Sequence, residues 1–308
     1  MANTLAYASL FQDELDKQMI SGATSGWMEV NEKLVKYNGG NEVKIPSMLM
    51  DGLGDYDRDT GYVKGSVTLA WQTHTLTQDR GRTFSLDAMD VDETNFVASA
   101  GAVLGEFQRT KVIPEVDAYR YSLIATKAIA ASKAVGGYTP AAATILTTLL
   151  TNIALVQDEV GEDAELVVTM SIPTGTILDT DEKISKKLDV VDFRQGEIVL
   201  KVKGLNGIPI IRAPSARLKT AYTFRDGSTS GQEAGGFVAA AGAKDINWII
   251  SARSAPIAVS KTEKLRIFDP DTNQDANAWK FDYRKYHDLW VPTNKLQATY
   301  VNIKQALS

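Results

Sequence analysis

The chain has 308 residues, 44% hydrophobic and 23% charged, with 23 Gly and 9 Pro, a composition that builds one large domain or two ordinary ones and excludes disordered, collagenous and low-complexity classes. Its formal charge of −5, from 33 Lys and Arg against 38 Asp and Glu, has the wrong sign for a chain held to nucleic acid by its overall field, though local basic patches stay open. With zero Cys there are no disulfides, thiolate zinc sites or cysteine nucleophiles, as suits a reducing cytoplasm, and His74 and His287 are the whole imidazole complement.

No apolar run approaches the roughly 20 residues that span a bilayer, and the start MANTLAYASLFQDELDKQM has acids where a signal peptide needs a basic end. The expectation is an untargeted soluble protein without a membrane partner. Residues 1–40 show a short helical pattern at Leu5, Leu10, Phe11, Leu15 and Met19, then a polar run ending at Gly39 and Gly40. Too few large apolar side chains occur there to close a core, so this stretch reads as an arm that needs a partner surface.

From residue 43 the period changes to two. Val63, Gly65, Val67, Leu69 and Trp71 alternate with Tyr62, Lys64, Ser66, Thr68, Ala70 and Gln72, a strand signal. A second run, Phe84, Leu86 and Ala88, follows Asp79 to Arg82, where Gly81 suits a tight turn; residues 51–61 are too rich in Gly and Asp for a regular element. The spacing predicts a long ribbon with a polar tip. A two-stranded ribbon is marginal alone in water, so residues 43–87 should pack against something else, most naturally a neighbouring copy.

Helix signals begin at Asp90 and Glu93, a cap with its reciprocal acid. Phe96, Val97, Ala100, Val103, Leu104 and Phe107 then form one stripe, the strongest periodic signal in the chain. Pro114 should start a second helix that Gly136 and Gly137 end, and Thr139 with Pro140 should cap a third, carrying Ile145, Leu146, Leu149, Ile153, Val156 and Val160 and closed by Gly161. Strands follow at 166–172 and 198–202, with Asn206-Gly207 as a hairpin turn before 208–211, making 137–255 an α+β unit. Within it, 226–244 contains five Gly and reads as a mobile surface loop. Strand texture returns at Trp279, Phe281 and Tyr283 and again at Leu296, Ala298 and Tyr300.

Catalytic and ligand motifs fail on their spacing. Gly52 and Gly54 lead to Asp57 where a phosphate loop needs a third Gly, and no Gly-Lys-Ser/Thr occurs. Asp269, Asp271, Asn273 and Asp275 imitate half a calcium loop, but Gln274 and Lys280 stand where Gly and a bidentate Glu are required, so an Asx-rich turn is the better reading. Asp51, Asp55, Asp57 and Asp59 lack ligand spacing too and read as a solvated tip or as salt-bridge partners for a neighbour. Neither His has a nucleophile or metal-ligand companion. No catalytic, cofactor or metal site is expected.

The order assembled is arm, ribbon, capped helix, α+β unit and returning strands. With KIPSMLMDGLGDYDRDTGY, VTLAWQTHTLTQDRGRTFSLDAMDVDETNF and EFQRTKVIPEVDAYRYSLIA, over roughly residues 43–126, the chain resembles a tailed-bacteriophage major capsid protein of the HK97 fold. The resemblance implies an α+β fold in which 1–42 is an N-terminal arm, 43–90 the E-loop, 91–136 the spine-helix region of a discontinuous peripheral domain, 137–255 the axial domain, and 256–308 returning strands of the peripheral domain. It also implies a non-enzymatic subunit that self-assembles into hexamers and pentamers of an icosahedral shell around double-stranded DNA, with a precursor that expands on maturation, built in the cytoplasm of a bacterial host.

Partners implied are further copies of itself, a portal, a decoration protein and weakly, non-specifically held DNA. Because only about forty residues precede the ribbon, scaffolding is expected from a separate protein. Lys64 is the only Lys between 45 and 90, and no subunit cross-link is expected. Expected inter-subunit residues are Asp55, Asp57, Arg58, Asp59 and Tyr62 at the tip with Arg80 and Arg82, through charge-assisted contacts; each can equally be a solvated turn residue. Two other readings stay open: an encapsulin-type shell holding a cargo enzyme, and a soluble α+β enzyme using a carboxylate pair.

Overall fold

The computed structural model of the chain describes residues 22–34, 36–37, 42–87, 89, 100–181, 188–195 and 198–307. A 3₁₀ stretch (Gly26–Leu34) leads into β1 (Lys36–Tyr37), β2 (Glu42–Met50), β3 (Val67–Thr75) and β4 (Gln78–Asp87). Helix α1 (Ala100–Phe107), a π turn (Gln108–Val112) and α2 (Ile113–Ala130) follow as one helical rod. Then come β5 (Ala134–Val135), α3 (Ile145–Val160), β6 (Leu166–Ser171), α4 (Ile172–Asp179), β7 (Leu188–Gln195), β8 (Ile198–Leu205) and β9 (Ile208–Ala213). The chain closes with β10 (Tyr222–Phe224), β11 (Phe237–Ala239), β12 (Ile246–Ala252), β13 (Ile257–Phe268), β14 (Ala278–Trp290) and β15 (Thr299–Ile303).

A seven-stranded sheet, ordered β5-β15-β12-β6-β9-β8-β7, carries the main core. Successive side chains of a strand face opposite sides, and both sides here are covered. Val167, Ile211, Ile249, Val301 and Ile303 pack with Tyr121, Ile124, Ala125 and Ala128 of α2. Their neighbours Leu166, Val168, Met170, Ile210, Trp248 and Ile250 pack with Ile145, Leu146, Leu149, Ile153 and Val156 of α3. Double coverage explains why β6 and β12 are buried at every position and read as continuous apolar runs rather than alternating ones. The stripe read for the third helix is thus one wall of the core, while Val160 packs at its edge.

The second sheet, ordered β13-β14-β4, is covered by the rod: Leu104 and Phe107 of α1 and Val112 of the π turn meet Phe84, Leu86, Phe281 and Tyr283. Of the stripe read from the sequence, Leu104 is fully buried, whereas Phe96 and Val97, with the cap at Asp90 and Glu93, lie outside the described residues.

Several local expectations are corrected. Pro114 stands in the first turn of α2 as read, but no break separates α2 from α1. It lacks an N–H and would press on the carbonyl four residues back in an α turn; the rod instead widens, and the Ile113 N–H bonds to Gln108 O, five residues back. The rod stops at Ala131, before Gly136: Ser132 takes φ +58°, its N–H reaches Ile129 O, and Lys133 N–H reaches Ala128 O, a Schellman stop built on Ser. Gly136 is needed for another reason, since a Cβ there would stand 2.6 Å from Gln305 O. The third helix starts at Ile145 after a turn, not at Pro140. Residues 79–82 are no turn but part of β4, and a Cβ on Gly81 would come 2.8 Å from Tyr283 O across the ladder.

Residues 22–34 are not a loose arm awaiting a partner. Trp27 and Met28 are fully buried in the main core, and Ser25 is buried against α2; residues 1–21 lie outside the described residues. The loop at 226–244 has defined shape: β10 and β11 pair as a hairpin, and all five of its glycines take positive φ, from +66° to +82°. The turn at Asn206-Gly207 matches its sequence signal, with φ +52° and +81° joining Leu205 to Ile208. The last strand, β15, pairs with β12 and β5 in the seven-stranded sheet, apart from the β13-β14 hairpin that precedes it.

Candidate assembly surface

β2 and β3 form the ribbon, and its root is firmly closed. Val43, Ile45 and Leu76 are buried with Ile257, Val259, Tyr286 and Trp290. Thr77 donates to Asp288 Oδ2 from its N–H and its hydroxyl, both at 2.9 Å. The Tyr119 hydroxyl donates to Asp288 Oδ1 at 2.6 Å, and burial together with that carboxylate pushes the phenol well above its ordinary pKa. His74 stacks on Trp290 with ring centroids 5.4 Å apart. Thr77 and Asp288, 211 residues apart in sequence, thereby share one polar knot, which no local sequence signal announces.

Beyond the root the ribbon leaves the body. Nine register pairs, from Glu42↔Thr75 to Met50↔Val67, make the ribbon about 27 Å long with its root included at the usual rise per residue, and those from Pro46↔Trp71 onward lie beyond the root. Val67, Leu69 and Trp71 are 66%, 55% and 42% exposed, and Met50 opposite Val67 is 68% exposed. Eight of the seventeen large apolar side chains exposed among the described residues lie between 50 and 71. Covering one such side chain is worth about 1.5–3 kcal/mol, so this concentration marks a surface meant to be covered. The alternation was legible; that its apolar side has no cover among the described residues was not.

The tip is shaped by its own carboxylates. Asp51 Oδ2 accepts from the N–H and hydroxyl of Ser66 at 2.7 and 2.9 Å, and Asp57 Oδ1 accepts from the N–H of Asp59 and Thr60 at 2.6 and 3.0 Å. These donors hold both carboxyls below their ordinary pKa. Of the residues expected at an interface, Asp57 therefore serves its own turn, and Tyr62 lies against Tyr56 at 4.8 Å while remaining 87% exposed. The side chains of Asp55, Arg58 and Asp59 take no partner among the described residues. Leu53, Tyr56 and Val63 stand exposed between them. Arg80 and Arg82, expected at the interface beside the tip residues, sit on β4, where Arg80 pairs with Glu115 and Arg82 donates to Glu233 O at 3.1 Å.

No catalytic grouping emerges among the described residues. His287 is buried beside Tyr119, ring centroids 5.6 Å apart, and has no nucleophile against it. No group of three or more His, Asp or Glu is placed to hold a metal among the described residues. Asp269 instead accepts from the Thr272 N–H at 2.8 Å, closing a turn. A groove of about 750 Å³ between α3 and β7 to β9 has Glu162, Glu165 and Asp192 on its rim. All three are exposed to water, which gives no carboxyl the sheltered site a general acid needs. No described helix is long and apolar enough to cross a membrane.

No protein-family model and no curated protein matches the chain. Solved structures do. The capsid of cyanophage P-SCSP1u superposes with a TM-score of 0.58 at 11% identity, over 89% of this chain and 86% of that one. A structure from Mycobacterium phage Che8 gives 0.56 at 12% identity over 86% of this chain and 85% of that one, and the mature capsid of bacteriophage PhiM1 gives 0.56 at 12% identity over 86% and 82%. A virus-like particle from Pyrococcus furiosus gives 0.51 at 10% identity over 96% and 99%. The fold is that of tailed-phage capsid subunits, the HK97 type.

Proposed function

We propose that the chain is a structural shell subunit, a major capsid protein without catalytic turnover, whose ribbon is laid across neighbouring copies. The observation that carries this reading is the shaft of β2 and β3, which shows apolar side chains to solvent on a ribbon with no second layer among the described residues. Such a surface is a cost to an isolated chain and a gain to an assembly, and symmetry repeats the gain at every subunit. Hexamers and pentamers closing an icosahedral shell around packaged double-stranded DNA, with expansion from a precursor, fit a rigid body carrying a protruding ribbon. The subunit's net charge of −5 is compatible with that cargo, because a genome confined by a wall needs no strong affinity for it. A separate scaffolding protein, a portal and a decoration protein belong to the same reading, as do assembly in a bacterial cytoplasm and the domain limits 1–42, 43–90, 91–136, 137–255 and 256–308.

Removal of residues 51–61 tests it. The variant is expected to keep the thermal midpoint of the full chain and to form no closed particles by electron microscopy; normal particles would refute the role of the tip. The match over nearly the whole length of the Pyrococcus furiosus particle favours one second reading, a shell of encapsulin type that stores a protein. Double-stranded DNA extracted from particles purified out of the native host supports the capsid, whereas a co-purifying cargo enzyme supports the compartment.

A further inference from the structure

Arg80 and Arg82 are two residues apart on β4 and point to one side of it. Arg80 Nε donates to Glu115 Oε1, its Nη2 donates to Gly236 O at 3.3 Å, and its guanidinium carbon lies 5.9 Å from the centre of the Phe224 ring. Arg82 Nη1 donates to Glu233 O at 3.1 Å. Glu115 stands in the first turn of α2, just past the π turn, while Phe224, Glu233 and Gly236 belong to the β10-β11 hairpin. Three elements therefore meet on two guanidinium groups.

The hairpin depends on that meeting. Among the described residues β10 and β11 pair with each other alone, over three residues each, with one further bridge at the base between Lys219 and Asp245, and a two-stranded pair that short needs side-chain anchors to hold its far end in place. The base of the hairpin is tied by the Lys219–Asp245 pair and by the Tyr222 hydroxyl, which donates to Ala216 O at 2.7 Å; nearer the arginines, Phe224 meets Tyr119 edge-on at 5.7 Å, and Tyr119 is the residue that ties Asp288 to the ribbon root. The loop is moulded around Arg82, since a Cβ on Gly227 or Gly235 would stand 3.1 or 3.5 Å from Arg82 Nη1, at backbone angles that favour glycine. By contrast, β4 itself is held to β14 by ten register pairs and does not need the arginines in order to fold. Arg80 and Glu115 keep 25% and 16% of their side-chain surface in water, so their attraction is partly screened and the contact is reversible.

We propose that Arg80 and Arg82 are positioning residues: they clamp the 222–239 hairpin and the first turn of α2 against the root of the ribbon, and so set the direction in which the ribbon leaves the body before a neighbour is met. The inference rests on the ribbon being the assembly surface, and it assigns these two arginines a role inside their own chain in place of a role across the interface.

Amide exchange on the dilute full-length subunit and assembly followed by light scattering test it together. Arg80→Gln and Arg82→Gln should each raise exchange at residues 225–236 about tenfold, leave β12 unchanged, and slow particle formation. Arg80→Lys keeps a cation for Glu115 but has no fork to reach Gly236 at the same time, and should recover part of both effects. Unchanged exchange at 225–236, or an equal rise in β12, would overturn the clamp. A loosened hairpin with assembly at the normal rate would overturn the positioning role. The exchange readout needs no neighbour, so failure of the ribbon as assembly surface, seen as normal particles without residues 51–61, stays distinguishable from failure of the clamp.

Discussion

Asp117 is fully buried and accepts five hydrogen bonds, from the N–H and hydroxyl groups of Thr24 and Ser25 and from Arg217 Nη1 at 3.0 Å. Arg120, also fully buried, completes the cluster by donating to Ser25 O, Ser25 Oγ and Glu29. Removing the carboxylate orphans four donors and a cation at once, so Asp117→Ala should cost about 3–5 kcal/mol in chemical denaturation. A loss below about 1 kcal/mol would mean that water replaces the carboxylate. His287 gives a pH-dependent test. Burial, and then the nearby charges of Arg120, Lys285 and Arg80, hold its imidazole well below the ordinary pKa. Its neutral form is favoured in the fold, so its contribution is whole above about pH 6.5 and declines as pH falls below that value, where the unfolded chain takes up a proton more readily. His74 shifts the same way, chiefly through burial. The urea midpoint should fall between pH 7 and pH 5, and the fall should shrink in His287→Gln; equal falls in both chains would remove His287 from the account. None of this was legible in the sequence, because Asp117 lies 92 or more residues from Thr24 and Ser25 and the surroundings of His287 come from three separate elements. Asn206-Gly207 was legible because its whole cause lies in two adjacent residues.

At the scale of elements, periodicity located the helices and strands, while their ends and pairings depended on packing. The stripe of α3 was right at every position that meets the sheet, yet the helix begins five residues past the expected Pro140, at Ile145. Pro114 was read as the start of a second helix, and α2 does begin there, but the π turn joins it to α1 without a break and keeps Leu104 on the second sheet and Tyr121 on the first. Its stop was misread because a Gly pair is a stronger signal than Ser132, which bears the left-handed conformation instead. That position gives a clean prediction: Ser132→Gly should stabilise the chain by about 0.5–1 kcal/mol by relieving the positive φ. A lower thermal midpoint would show that the hydroxyl has a use beyond the turn. The ribbon was found, but its partner strands were not. β3 pairs with β2, and β4 pairs with β14 some 200 residues away, a choice that a hydrophobic pattern alone does not specify.

For the molecule as a whole, the α+β class and the ribbon were within reach of the sequence and its resemblance, and the solved capsids share the fold. What the sequence obscured is which parts are complete at home. Residues 22–34 supply Trp27 and Met28 to the chain's own core, and the ribbon root is closed by β13 and β14, so the incomplete portion is narrower than expected, from about residue 50 to Trp71. The central claim is that this outer ribbon acquires its cover only from another copy. Amide exchange measured on the dilute subunit and on assembled particles tests that claim most directly. The account predicts that residues 50–71 exchange far faster than β12 in the free subunit and become protected in the particle, while the root at Val43, Ile45 and Leu76 is protected in both. Strong protection of residues 50–71 in the dilute subunit, or none in the particle, would contradict it.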